Sequence, residues 1–418
     1  MTDAIAPRTL ATPAAQRALF AGTLFWSVGV LVNEMVASVG LVLTGLGALA
    51  LCYGREARRP TLEDVAPWWP LLLFVAWAVL APAFAGRLPT LSGLARAIDW
   101  LFVPVAAIAL GALDRRQRKS IALVAGIVFL LSCALAALQH FGVWPGAAAF
   151  ERLSWTRIPF NRVYEPVPEA PGQFMAGGLL FHRLKFAHVG GLWVLAFLVF
   201  GLRAPAPQRI AALGTAAVGF VSILAFPYAR AASVALLVSA CLALALIGLS
   251  SRRARIGSFV IAALTLATLA AYPPLRERFL VGFTPAGSGD RGEILSTGAR
   301  AVAEHPVAGV GLGQFRPSYF ASSSTPQNVL DNPGKAHNQF LSMAAETGVP
   351  GLLLFIFMLV WLGSSFSARD TSGVFGLSVL AFFFVVSLAH DPLIHAPFSM
   401  ALCLALGAAS ARAPMSRR

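Results

Sequence analysis

Charge is scarce in this sequence. Asp, Glu, Lys and Arg make up 12% of its 418 residues, about half the share of a typical soluble domain, while hydrophobic residues reach 57% and mean hydropathy is +0.73. Too few polar side chains remain to cover a soluble globule, and that class is excluded. Cysteine is also sparse: Cys52, Cys133, Cys241 and Cys403 fall in apolar runs with no close pair, against both a disulfide framework and a metal cluster. The chain lacks an obvious pair of carboxylates for acid–base work, a P-loop lysine, an internal repeat and any long polar stretch that could fold as a separate soluble domain.

What the sequence has is apolar length. A membrane-spanning helix needs about 20 mostly apolar residues, because only a helix satisfies its own backbone in lipid. Twelve stretches qualify, near 18–33, 36–53, 68–84, 94–113, 120–141, 187–202, 209–226, 230–249, 256–272, 350–366, 372–389 and 395–410. The expected fold is therefore an all-α polytopic membrane protein, a single integral membrane domain over 1–418. The first run has no small-residue cleavage site after it and is read as an anchor rather than a removable signal.

The net charge of +14 does not point to nucleic acid, because the basic residues punctuate the helices. GREARR (54–59), DRRQRK (114–119), RAPAPQR (203–209), SRRAR (251–255), Arg369 and RAPMSRR (412–418) fall on one side together with Arg8 and Arg17. The positive-inside rule makes that side the cytoplasm, with both termini there. Two outer loops, 143–186 and 273–349, break the pattern of short connections. The first carries Arg152, Arg157, Arg162, Arg183 and Lys185, with Trp155, Phe160 and Tyr164 between them; the second carries Arg276, Arg278, Arg291, Arg300, Arg316 and Lys335. Basic residues are normally scarce on that face, so their presence implies anionic ligands.

The second loop has readable order. In DRGEILSTGARAVAEHP, Asp290 is placed as an N-cap with Glu293 three residues on, so Arg291 opens an amphipathic helix that Pro306 ends. AGVGLGQF (308–315) follows, a glycine-rich turn able to approach another surface closely. In AHNQFLSMAAETGVPG, His337 stands in the first turn of a helix, shares a face with Phe340, Leu341, Ala344 and Ala345, and precedes a cap at Gly348 before Pro350. The positive end of a helix dipole disfavours imidazolium, so His337 is a candidate general base; a hydrogen-bonded histidine at a helix end fits this stretch equally well. In FPYARAASVALLV (226–238), Pro227 ends one span and Arg230 begins the next at the outer face. A snorkelling anchor is the plain reading there, but arginine beside unpaired helix N–H groups suits a phosphate.

The segments YARAASVALL, DRGEILSTGARAVAEHPVAGVGLGQF and AHNQFLSMAAETGVPGLLLFI resemble the lipopolysaccharide O-antigen ligase family, within the group that includes O-antigen polymerases and bacterial O-oligosaccharyltransferases. The likeness covers roughly the second half of the chain. It implies about twelve transmembrane helices in a GT-C-like glycosyltransferase architecture, with the large periplasmic loop between spans 9 and 10, in the bacterial inner membrane. It implies transfer of O-antigen from undecaprenyl diphosphate, the donor, to a sugar hydroxyl of lipid A-core oligosaccharide, the acceptor. The family is regarded as inverting and as needing no metal or nucleotide-sugar cofactor. Its essential histidine corresponds to His337 and its two arginines to Arg230 and Arg291. Ala229 stands where family members often have Ser or Thr, so no hydroxyl role is carried over there. Arg316 and Lys335 are further candidates for donor contacts, and Arg162 and Arg183 for acceptor phosphates. An O-antigen polymerase or a protein O-oligosaccharyltransferase is the nearest alternative, although the latter commonly has a C-terminal periplasmic region not seen here. A lipid-linked glycan transporter should instead gather polar residues at the membrane midplane.

Remaining polar residues are read structurally. Arg96 and Asp99, three apart, are expected to pair; His188 is expected to be packed; Trp68, Trp69 and Trp144 are interfacial anchors. HDPLIH (390–395) has poor spacing for a metal site.

Overall fold

The structure, a computed structural model, describes residues 13–53, 66–84, 86, 89–144, 165–168, 170–248, 252–281, 291–322, 325, 327 and 336–411. Helices α1 (Pro13–Val32) and α2 (Glu34–Tyr53) form a hairpin, followed by α3 (Trp69–Phe84), α4 (Leu91–Ile98), α5 (Phe102–Ala112) and α6 (Arg115–His140). After the first long connection come α7 (Arg183–Arg203), α8 (Ala206–Ala225), α9 (Arg230–Gly248) and α10 (Arg252–Ala271). The second contains α11 (Pro273–Val281) and α12 (Arg291–Glu304), and α13 (Gln339–Ser365), α14 (Thr371–Ser387) and α15 (Ala396–Ser410) come last. Two short strands, β1 (Glu165–Pro166) and β2 (Phe174–Met175), pair antiparallel before α7.

Helices occupy each of the twelve apolar stretches. Eight are long and apolar enough to cross a membrane, and four, including α14 and α15, are apolar but only 10–17 residues long. At 1.5 Å per residue a fifteen-residue helix covers about 22 Å, short of a hydrocarbon core of about 30 Å. The short ones differ in setting: α15 is apolar all round, and twelve of its fifteen residues are buried, as expected of a helix enclosed by others. It packs on α5 and α14 beside α7. The core here is aromatic, with Trp100 edge-on to Phe355 and Phe383, and Phe383 stacked on Phe398. Small residues set the closest approaches. A Cβ on Gly29 would lie 2.1 Å from the Ala37 nitrogen, and one on Gly40 2.1 Å from the Trp26 nitrogen, which lets α1 and α2 touch backbone to backbone.

The second long loop has its own small core of Ala301, Val310, Phe315, Phe320, Ala336 and Ala345. Arg291 opens α12 as expected; the Asp290 cap lies outside the described residues. Glu293 accepts hydrogen bonds from Thr325 (2.8 Å) and Arg300 (2.7 Å), and these hold its carboxyl below the usual range. The glycine-rich turn does approach another surface. That surface is the bend of α13 at Gly348, which has φ +74° and ψ 176°, a region essentially reserved for glycine. Around the bend Val310 N–H donates to Ala345 O (2.8 Å), Gly311 N–H to Glu346 O (3.0 Å) and Val349 N–H to Pro306 O (2.8 Å).

The expected Arg96–Asp99 pair is corrected. Arg96 Nη2 instead donates to both oxygens of Glu346, at 3.2 and 3.0 Å, and Asp99 accepts from the Ser399 hydroxyl. The reason is local: α4 ends at Ile98 and Asp99 begins a 3₁₀ turn, so the two do not share a helical face. Each takes a partner from a different late helix.

The bend at Gly348 can be tested. Gly348→Ala meets a forbidden backbone region and sets its Cβ 2.0 Å from Val307 O, so it should cost at least about 1–3 kcal/mol and lower the thermal midpoint in detergent. Gly45→Ala, with no atom within 4 Å of the added carbon, should leave it unchanged or slightly raised.

Candidate active site

The site is built at the head of α13. Asn338, not His337, is the N-cap: its Oδ1 accepts from Leu341 N–H at 3.0 Å, and asparagine is among the best caps. His337 therefore lies one residue before the cap rather than in the first helical turn. Its backbone is left-handed, φ +53°, an uncommon state for which histidine is one of the more tolerant residues. The Ser342 hydroxyl accepts from Ala336 N–H at 3.2 Å and fixes the approach.

The same helix end captures the turn between α14 and α15. Asn338 Nδ2 donates to Leu388 O at 3.3 Å, and Gln339 Oε1 accepts from Leu393 N–H at 3.2 Å. This brings the His390 ring to 6.4 Å from His337 and 5.7 Å from His188. The His390 imidazole is held well below its ordinary pKa, first by burial and then by the positive potential of His188, Arg291, His337 and Arg183. His337, Arg291 and Arg183, singled out separately in sequence, thus all lie within electrostatic range of His390. His188 is fully buried as expected, but its ring nitrogens have no hydrogen-bond partner among the described residues.

The surroundings of the other candidates are as follows. Arg230 is half-buried at the first residue of α9, after a turn in which Tyr228 takes φ +53° and packs edge-on against Tyr272. Arg316 is exposed on the loop at the start of the 3₁₀ turn Pro317–Phe320, where Nη1 donates to Phe315 O at 3.4 Å. Arg183 donates to Glu165 at 2.6 Å, and Lys185 is paired with Glu34. Arg162 and Lys335 lie outside the described residues. Among the described residues no three His, Cys, Asp or Glu side chains are placed to hold a metal ion.

Sequence reading passed over His390 and Asp391. The HDPLIH turn had been weighed only for metal spacing, yet Asp391 is an acid in an apolar turn on the face that carries His337. It is 4% exposed. Its carboxyl faces the Ser342 hydroxyl and the His337 backbone without reaching hydrogen-bond geometry to either, and burial, with Glu346 nearby, pushes it up to about 6.

A folded-state value above the unfolded one near 3.8 means the fold prefers the neutral acid. That contribution is fully present below about pH 4 and is lost as pH rises through about 6, on the order of 3 kcal/mol in all. Asp391→Asn removes the dependence. The difference in thermal midpoint, variant minus parent, should therefore grow in the variant's favour from pH 4 to pH 7, read by thermal unfolding across that range.

Residues 190–356 match the family model described as O-antigen ligase. The match takes in Arg230, Arg291, Arg316, Lys335 and His337, and leaves Arg162, Arg183 and the His390–Asp391 turn outside it. No curated protein matches the chain significantly in sequence. Over residues 190–356 the chain is similar to the O-antigen ligase family.

Proposed function

We propose that this protein is an O-antigen ligase of the bacterial inner membrane, with twelve spans in a GT-C-like arrangement, both termini cytoplasmic and its site facing the periplasm. It moves O-antigen polysaccharide from undecaprenyl diphosphate to a sugar hydroxyl of lipid A-core oligosaccharide. One observation carries the reading: the base candidate His337, just before α13, has its ring 6.4 Å from that of His390, and the clamp candidate Arg291, at the head of α12, lies within electrostatic range of the same imidazole.

In this mechanism a neutral His337 nitrogen takes the proton of the acceptor hydroxyl as its oxygen attacks the anomeric carbon from the side opposite the diphosphate, inverting that centre. Arg230 and Arg291 hold the diphosphate and offset the charge that grows on it as the glycosidic bond breaks. A clamped diphosphate leaves without a proton donor, which accounts for the lack of a carboxylate pair of the glycosidase kind. Two guanidinium groups can do for the leaving group what a divalent ion does elsewhere, so no metal and no nucleotide is required. Arg316 and Lys335 are second contacts for the donor; Arg162 and Arg183 serve acceptor phosphates, Arg183 by exchanging its bond to Glu165.

The decisive experiment mixes purified protein with lipid-linked O-antigen and lipid A-core. A laddered lipopolysaccharide product supports the ligase; longer lipid-linked chains with no transfer to lipid A-core would make it a polymerase. His337→Ala should abolish the ladder with normal membrane insertion. Arg230→Ala and Arg291→Ala should each lower turnover by about 10²–10³, the usual effect of removing one charge-stabilising donor. Wild-type levels of product from all three variants would move the chemistry elsewhere.

Activity should also survive a strong chelator and need no ATP. Loss with chelator, restored by one divalent ion, would overturn the arginine clamp.

A further inference from the structure

A cavity of about 330 Å³ opens between α1, α5, α6, α7, α14 and α15, with Leu110, Trp193, Phe197, Phe375 and Ala405 in its walls and Arg118 at one end. It belongs to the opposite side of the protein from His337. Arg118 is in the first turn of α6, Ser372 in the first turn of α14 and Ala411 caps the end of α15, whereas the His390 turn follows the far end of α14. The seventeen residues of α14 separate the two by about 25 Å.

Its lining is almost all hydrocarbon. Trp193 and Phe197 stack at 5.9 Å between ring centres, and Ser27, the polar group on α1, already donates to Thr23 O at 2.7 Å. Such walls give water nothing to bond and suit a methylene chain. The mouth is different. Arg118 is exposed and its guanidinium has no acceptor among the described residues, and Arg115, Arg116 and Lys119 stand beside it on α6. The nearby acids Asp114 and Asp370 are spent on caps, accepting from Gln117 N–H (2.7 Å) and Gly373 N–H (2.5 Å). Apolar walls with an arginine at the rim describe one end of a lipid and then the other. Charge placement puts that rim at the cytoplasmic surface, where anionic lipids attract basic clusters.

We propose that this cavity is a binding site for one acyl chain of an anionic glycerophospholipid from the cytoplasmic leaflet, with the lipid phosphate on Arg118. The site is separate from the proposed transfer chemistry and holds a structural lipid rather than a substrate. Two other occupants fit less well. The chain's own RAPMSRR tail (412–418) brings three more arginines to a basic rim, and the polyprenyl tail of the donor would have its diphosphate at the opposite face.

The test is native mass spectrometry of the full-length protein in detergent, titrated with phosphatidylglycerol or phosphatidylcholine. One phosphatidylglycerol should be retained at least tenfold more tightly than phosphatidylcholine. Arg118→Ala should remove that preference, and Ala405→Phe, which fills the cavity, should remove retention altogether. Phosphatidylglycerol brominated in its acyl chains supplies a readout on the unfilled protein: the part of the tryptophan fluorescence lost in Trp193→Phe should be quenched at lower lipid than the rest. The proposal is overturned if no lipid is retained, if both lipids bind alike, if undecaprenyl phosphate displaces phosphatidylglycerol, or if Trp193 is quenched no earlier than the other tryptophans.

Discussion

The candidate site depends on one break in a helix. Gly348 leaves the helical region at φ +74° and ψ 176°, which frees backbone groups of α13 that would otherwise bond within the helix. At a membrane boundary such groups must find partners in the protein. They find them in the glycine-rich turn, through Val310 to Ala345, Gly311 to Glu346 and Val349 to Pro306. Those bonds join the segment that follows α12 to the bend within α13. A backbone ladder thus ties the segment after α12, which Arg291 opens, to α13, which His337 precedes. Gly309 completes the fit: a Cβ there would lie 2.4 Å from the Glu346 carbonyl carbon.

The ladder is reinforced from beneath by charge. The Glu346 carbonyl takes the Gly311 N–H, while its carboxylate takes Arg96 from α4. With Glu346 4% exposed and Arg96 17%, this is a largely buried pair, whose worth lies less in net stability than in what breaking it would cost. Thr90, the N-cap of α4, donates its N–H to Leu312 O at 3.1 Å. The same glycine-rich turn is thus gripped by α4 on one side and by α13 on the other, so the first half of the chain contributes rigidity to the face that carries the candidate site.

What could be read in the sequence follows from the range of the interactions involved. The apolar stretches, Arg291 at a helix start and Gly348–Pro350 as a break depend on neighbours a few residues away, and each is found where the residues put it. Arg96 was misassigned because its partner lies 250 residues on, and a carboxylate three positions away offered a local alternative. The sequence pattern puts His337 in the first helical turn, not one residue before the cap, because the spacing of apolar residues does not say which of two adjacent polar residues caps; Asn338 wins by the geometry of its short side chain. His390 was overlooked for a different reason. Its neighbours come from α7, α12 and the head of α13, and nothing near it in sequence announces that they meet.

The meeting of those groups bears on how a histidine base could work there. His390 feels the charges of His337, Arg291 and Arg183, and the Asp391 carboxyl lies beside the His337 backbone. Under the proposed chemistry, the donor brings a diphosphate to the same cations. Its negative charge offsets theirs, and the imidazolium that forms as the hydroxyl attacks is then tolerated. A base whose imidazolium is stabilised by the charge of the donor would tie proton removal to donor binding. His390 fits this scheme by remaining neutral: a further fixed cation there would raise the cost of the imidazolium even with the diphosphate in place.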